Sequence, residues 1–95
     1  MGDTMKTQKF HNCNATIEAY DNNVTVFRSY ATAIVVTVGA HTYIRPNWRD
    51  YSRTTTQQVA RYMREQTERY LTCDQITDEF VTDDETFFGA LQRAR

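Results

Sequence analysis

The first half of the chain contains hydrophobic and polar patterns that are typical of β-strands. From Ala15 to Tyr20 the side chains of Ala15, Ile17 and Ala19 point one way and those between them the other, which is the period of a β-strand. Asp21-Asn22-Asn23 favours a turn because Asn and Asp tolerate left-handed backbone. The run from Val24 to Phe27 then resumes with β-branched and aromatic residues. The pattern predicts a β-hairpin.

A second hairpin is predicted from two further strands, Ala31–Val38 and His41–Ile44, joined by a turn at Gly39-Ala40. The first of these strands is the most apolar run of the chain. Glycine in the first position of a two-residue turn is typical of type II′. The connection at Arg28-Ser29-Tyr30 has two open interpretations, a tight turn or a bulge in one long strand. Residues 14–45 are thus predicted to form a four-stranded antiparallel meander sheet.

The second half of the chain changes to helical spacing. Residues 45–50 contain proline, Asn and Asp and are predicted to be a surface loop. Thr54-Thr55-Thr56 offers N-caps for a long helix over residues 54–71, expected to pack on one face of the sheet. Residues 74–93 are predicted to form an acidic helical region with one or two short helices.

The two short helices have separate predicted start signals. Asp74 is the expected cap of the first, and Thr82 with Glu85 makes a capping box for the second. Residues 1–10 show no periodicity and are predicted to be a flexible tail. Strands followed by helices are typical of the α+β class.

The length of 95 residues indicates one domain, because each half would be too short to bury a core of its own. No apolar run approaches the length of a bilayer span, and the polar start has no signal-peptide core. We therefore expect a single domain over residues 1–95, located in the cytoplasm of a host cell.

The cysteines and histidines are too few for a strong metal signature. His11, Cys13, His41 and Cys73 match the ligand count of a tetrahedral zinc site, but they lack the paired knuckles that make such signatures specific. Two ordinary thiols are the alternative at Cys13 and Cys73. The three glycines are isolated, which argues against a phosphate-binding loop or a dinucleotide fingerprint. We expect a protein that is not an enzyme, with no metal and no cofactor.

The formal net charge of -1 conceals an uneven distribution. Residues 1–71 hold nine basic and six acidic residues, whereas residues 72–95 hold two basic and six acidic ones. Two candidate partner-binding surfaces follow. One is the arginine and aromatic loop formed by Arg45, Trp48, Arg49 and Arg53, a composition found at interaction hot spots. In the alternative interpretation, Trp48 and Tyr51 pack under the helix start and the arginines are solvated.

The other candidate surface is acidic and could imitate the phosphates that a partner protein binds. Its residues are Asp74, Asp78, Glu79, Asp83, Asp84 and Glu85. A competing hypothesis makes Ser52–Gln58 the start of a recognition helix, because Thr, Gln and Arg can contact base edges. The exposed edges of a sheet can also pair with a second copy to form a homodimer.

Two short patterns resemble small proteins of unknown function from bacteriophages and other mobile elements. They are Ser29-Tyr30-Ala31-Thr32-Ala33-Ile34 and Tyr51-Ser52-Arg53-Thr54-Thr55, which match Ser-Tyr-x-Thr-x-Ile and Tyr-Ser-x-Thr-Thr. This chain carries Gln58 where such proteins often carry a histidine. By analogy with phage inhibitors of host defence, including anti-CRISPR proteins, the resemblance implies binding to a host nuclease or CRISPR effector.

Overall fold

A computed structural model describes residues 5–11 and 14–94 as an antiparallel sheet followed by helices. The strands in the described residues are β1 (Lys6–Lys9), β2 (Ala15–Tyr20), β3 (Val24–Ser29), β4 (Thr32–Val38) and β5 (His41–Ile44), and each pairs with the next. The helices are α1 (Arg53–Thr67), α2 (Cys73–Phe80) and α3 (Asp84–Leu91). The predicted α+β class and meander order are confirmed, with five strands rather than four.

The additional strand lies in the segment predicted to be a flexible tail. Lys6–Lys9 pair antiparallel with residues 16–19 of β2. All four side chains of β1 are exposed, so the segment has no alternation of apolar and polar residues from which a strand could be predicted. Its two lysines lie on an edge strand, where charge discourages pairing with other chains.

The connection between the hairpins is a tight turn, and the interpretation as one long strand is wrong, although the β3–β4 pairing does contain an irregularity. Tyr30-Ala31 forms a two-residue turn between Ser29 and Thr32, and the β3–β4 register shifts between Phe27 and Arg28. Tyr30 has a φ of 57°, and Gly39, the first residue of the next hairpin turn, has a φ of 60°. The first residue of each turn therefore has a positive φ, although one is a tyrosine and the other a glycine.

Helices cover both faces of the sheet. One core joins Phe27, Val35 and Ile44 of the sheet to side chains of α1 and α2, including Val59 and Ile76. The second core lies on the opposite face, because its strand residues alternate with those of the first. There α3 packs Phe87 and Ala90 against Val24, Val26 and Val36. The sheet is thus the middle of three layers.

The helix boundaries differ from the predicted ones by a few residues. Ser52, rather than the threonine triplet, caps α1, and its side chain accepts a hydrogen bond from the Thr55 amide. The helix ends at Thr67, because Glu68 has left-handed backbone with a φ of 55°. Thr72, not Asp74, caps α2 through a capping box with Gln75.

The last helix and the segment before α1 also differ from the prediction. Asp83 is the N-cap of α3, in place of the predicted box of Thr82 and Glu85. The predicted surface loop at residues 45–50 contains a 3₁₀ turn at Trp48–Asp50 with Trp48 buried. No helix in the described part of the chain combines the length and apolar character that crossing a membrane requires.

Candidate functional site

Trp48 is buried in the structure and does not contribute to the proposed arginine and aromatic surface. Its side chain is only 1% exposed and belongs to the core under α1 and α2. The indole Nε1 donates a hydrogen bond to Thr77 Oγ1 at 3.1 Å, so the polar atom of the buried ring is satisfied. The alternative interpretation is correct for Trp48, whereas Tyr51 is 45% exposed.

Two of the three arginines of this surface make intramolecular contacts. Arg45 Nε donates to the Ala33 carbonyl at 2.9 Å, and its guanidinium carbon lies 4.7 Å from the centroid of the Phe88 ring. Arg49 forms an ion pair of 2.8 Å with Asp74. Arg53 is exposed and makes no ion pair with the described residues. Arg49 and Arg53 therefore remain exposed, but only Arg53 is without an ion pair among the described residues.

The acidic surface keeps more of its charges free. Asp74 is paired with Arg49, and Glu79 accepts two hydrogen bonds from the Arg69 guanidinium, at 2.7 and 2.9 Å. The contact with Arg69 lowers the pKa of Glu79. Asp78 is exposed and has no ion pair within residues 5–11 and 14–94.

Five acidic residues lie near the connection between α2 and α3, in the last part of α2, at the N-cap of α3 and in its first turn. We call this surface the acidic corner; it consists of Asp78, Glu79, Asp83, Asp84 and Glu85, all exposed. Between the helices, Val81 forms a parallel bridge with Ile44, and the Thr82 amide donates to the Ile44 carbonyl at 3.1 Å. The segment that connects α2 to α3 is therefore hydrogen-bonded to the edge of β5.

Hydrogen bonding also lowers the pKa of two carboxyls in the acidic corner. A hydrogen bond with Thr86 is the main cause that lowers the pKa of Asp83. The pKa of Glu79 is lowered as well, mainly by its hydrogen bond with Arg69, so both carboxyls lose their protons at a lower pH than unperturbed carboxyls do.

The four residues of the zinc hypothesis cannot all be placed, because Cys13 lies outside the described residues. His11 Nε2 lies 2.7 Å from Glu65 Oε2, and Arg61 contacts the other ring nitrogen of His11 at 3.3 Å. Cys73 is a partly buried free thiol in the first turn of α2. No three His, Cys, Asp or Glu side chains of residues 5–11 and 14–94 lie close enough to hold a metal ion.

A pocket that sequence reasoning did not identify as a site lies between the β3–β4 turn and the start of α1. We call it the hydroxyl pocket; it has a volume of about 350 Å³. Its sheet side is formed by Ser29, Tyr30, Thr32 and Ile34. Its helix side is formed by Tyr51, Ser52, Thr54 and Thr55. These lining residues are the defining positions of the two short patterns. The patterns were therefore the sequence signal from which the pocket could have been found.

Behind the pocket, four side chains form a directed chain of hydrogen bonds. Ser52 Oγ donates to Thr55 Oγ1 at 3.1 Å, and Ser29 Oγ donates its only hydrogen to Gln58 Oε1 at 2.7 Å. Thr55 must therefore be the donor in its 2.9 Å contact with Ser29. Ser29, Thr55 and Gln58 are all buried, and their mutual bonds compensate the cost of removing these groups from water. The network joins β3 to α1 and holds the pocket wall in place.

Comparison with known protein families identifies a match over most of the chain. Residues 2–81 match the model of a protein family described as a family of unknown function (DUF8033). The matched segment contains the sheet, α1, α2 and both patterns of the hydroxyl pocket, and it ends before α3. No curated protein and no solved structure matches the chain.

Proposed function

The chain belongs to the DUF8033 family, whose function is unknown, and we propose that it is a non-enzymatic protein that binds and blocks another protein through its acidic corner. The partner class that we propose is a host defence protein with a basic nucleic-acid groove, such as a nuclease or a CRISPR effector. Carboxylates on such a surface imitate the phosphates that the groove recognises. The phage-type patterns support this partner class by analogy, and the host cytoplasm is the corresponding location.

The observation that carries the proposal is the difference between the two candidate surfaces. In the arginine and aromatic loop, Trp48 is buried and Arg45 and Arg49 are engaged within the molecule. Of the five carboxylates in the acidic corner, only Glu79 takes part in an ion pair among the described residues. Free charges concentrated on one surface steer association with a partner of opposite sign.

The test reverses the free charges and leaves the structural ones in place. The variant carries Asp78→Lys, Asp84→Lys and Glu85→Lys, and it keeps Glu79, which pairs with Arg69, and Asp83, which occupies the N-cap position of α3. The wild type is used in a pull-down from host lysate with mass spectrometry of the retained proteins. We expect the variant to retain the captured partner on the order of tenfold more weakly, or not at all.

A second variant controls for bulk charge. Asp21→Lys, Asp50→Lys and Glu68→Lys change the net charge by the same amount at exposed positions outside the acidic corner. This variant should capture the partner as the wild type does, and circular dichroism should show that both variants are folded. Equal capture by both variants, or equal loss, would contradict the assignment of the acidic corner.

The alternative function is a small nucleic-acid-binding regulator that uses the start of α1. Two of its intended base-reading side chains, Thr55 and Gln58, are buried and bonded to Ser29. Arg53, Thr54 and Gln57 remain exposed, and a free arginine at a helix start favours this alternative. Fluorescence polarisation with labelled DNA and RNA at low salt tests it, because non-specific binding should be visible at roughly tens of micromolar protein. Absence of binding there would eliminate it.

A further inference from the structure

We propose that the hydroxyl pocket is a binding site for a neutral saccharide. The site is separate from the acidic corner, so it stands or falls independently of the proposed function. Its volume of about 350 Å³ lies at the lower end of the range for small-molecule clefts, about 300–1,000 Å³. One or two sugar rings are ligands of a suitable size.

The lining of the pocket favours a ligand without charge. All of its side chains are hydroxyl, aromatic or aliphatic, with no carboxylate, guanidinium or amine among them. A charged ligand would lose its hydration there without gaining an ion pair. A nucleotide or an acidic peptide is therefore a poorer match than a neutral polar molecule.

Two tyrosine rings flank the pocket and are largely open to solvent. Tyr30 is 57% exposed and Tyr51 is 45% exposed. The face of an aromatic ring carries partial negative charge, and the C–H groups on the flat side of a pyranose carry partial positive charge. The exposed rings therefore provide surface on which a sugar can stack.

Four hydroxyl groups at the pocket have no hydrogen-bond partner among residues 5–11 and 14–94. They belong to Tyr30, Thr32, Tyr51 and Thr54. Each hydroxyl can both donate and accept and can rotate to suit its partner, which matches the mixed donors and acceptors around a sugar ring. Base edges present fixed patterns of donors and acceptors and are bound mainly by amide and guanidinium groups.

The backbone at Tyr30 adds an independent observation. The first residue of the next hairpin turn is Gly39, which accepts positive φ without steric cost. Tyr30 occupies the corresponding position at a φ of 57°, a rare conformation for a bulky residue. Unfavourable backbone conformations concentrate at functional sites, and here the conformation presents an aromatic ring beside the pocket.

Nuclear magnetic resonance titration of the full chain tests the proposal. The probes are maltose, cellobiose, lactose and N,N′-diacetylchitobiose, each raised into the high millimolar range. We expect at least one of them to cause saturable amide shifts confined to residues 29–34 and 51–55. Tyr51→Ala should weaken this binding roughly tenfold, the usual consequence of removing one aromatic hot spot. Tyr70→Ala, which removes a ring that is 99% exposed outside the pocket, should leave the affinity unchanged.

Three results would overturn the assignment. One is the absence of saturable shifts with all four sugars, and another is equal affinity of the wild type and Tyr51→Ala. The third is a single-stranded oligothymidine or a proline-rich peptide that shifts the same amides where the sugars do not. Tyr30→Asn, which preserves the left-handed turn, serves as the second pocket variant if Tyr51→Ala is unfolded.

Discussion

At the scale of single residues, the positive-φ positions show which side chains suit their backbone. Asn23 and Asn47 lie in turns at φ values of 66° and 67°, and asparagine tolerates this region because its short amide can bond locally. Tyr30 has no such compensation. A bulky residue in this region costs on the order of 1 kcal/mol. Tyr30 therefore destabilises the hairpin turn beside the hydroxyl pocket.

The first stability prediction concerns Tyr30. Tyr30→Asn should raise the free energy of unfolding by about 0.5–1 kcal/mol, because the new residue adopts the native φ with little strain. Urea denaturation provides the measurement. Tyr70→Asn is the matched control, since it replaces a fully exposed tyrosine whose φ is not positive. A loss of stability in Tyr30→Asn would mean that ring contacts outweigh the backbone strain.

At the scale of elements, α3 depends on packing more than on its own helical tendency. It has eight residues, and helices this short are marginal in isolation. Phe87 is fully buried against the second face of the sheet, whereas Phe88 is 39% exposed. The helix is therefore attached mainly through Phe87 and Ala90, and it covers the valines of β3 and β4.

This attachment predicts different consequences for two adjacent phenylalanines. Phe87→Ala should lower the free energy of unfolding by about 3–5 kcal/mol, because it leaves a cavity in the second core. Phe88→Ala should cost about 1 kcal/mol, mainly through the lost contact with the Arg45 guanidinium. Chemical denaturation of both variants is the measurement. Equal losses would show that α3 does not pack on the sheet through Phe87.

At the scale of the whole molecule, folding partly neutralises the charge asymmetry of the chain. Arg49 with Asp74, and Arg69 with Glu79, each join a base of residues 1–71 to an acid of residues 72–95. Both pairs are largely exposed and contribute little to stability. Their main effect is to leave the free carboxylates of residues 72–95 concentrated in the acidic corner.

The stability of the whole molecule should depend on alkaline pH through Tyr62. Its ring stacks on Phe27 with the centroids 4.3 Å apart, and burial raises the pKa of Tyr62 to about 12. In the unfolded chain a tyrosine has a pKa of about 10. A pKa that is higher in the folded state stabilises the fold fully below about pH 10, and this contribution is lost as the pH rises through about 12.

The expected loss from this one group is about 1.4 kcal/mol per pH unit between about pH 10 and pH 12. Tyr62→Phe should remove this part of the pH dependence, whereas the exposed control Tyr70→Phe should retain it. Urea denaturation at about pH 8 and about pH 11 compares the three proteins. Identical slopes for the wild type and Tyr62→Phe would contradict the prediction.

Local patterns along the chain were sufficient to predict most of the architecture. Alternation of period two marks β2, and β-branched, aromatic and apolar runs mark β3 and β4. The turns at Asn23 and Gly39 follow from residues that accept positive φ. Helical spacing and capping residues locate α1, α2 and α3 to within a few positions. These features depend on neighbours close in sequence, so the sequence by itself determined them.

Contacts between distant segments were decided only by the tertiary structure. β1 has no apolar alternation and is a strand because β2 provides hydrogen-bond partners. Trp48 is buried because α1 and α2 close over a segment whose composition favours a loop. The hydroxyl pocket unites two patterns about twenty residues apart because Ser29 bonds to Thr55 and Gln58 of α1. Such pairings depend on how the elements pack in three dimensions, which local periodicity does not encode.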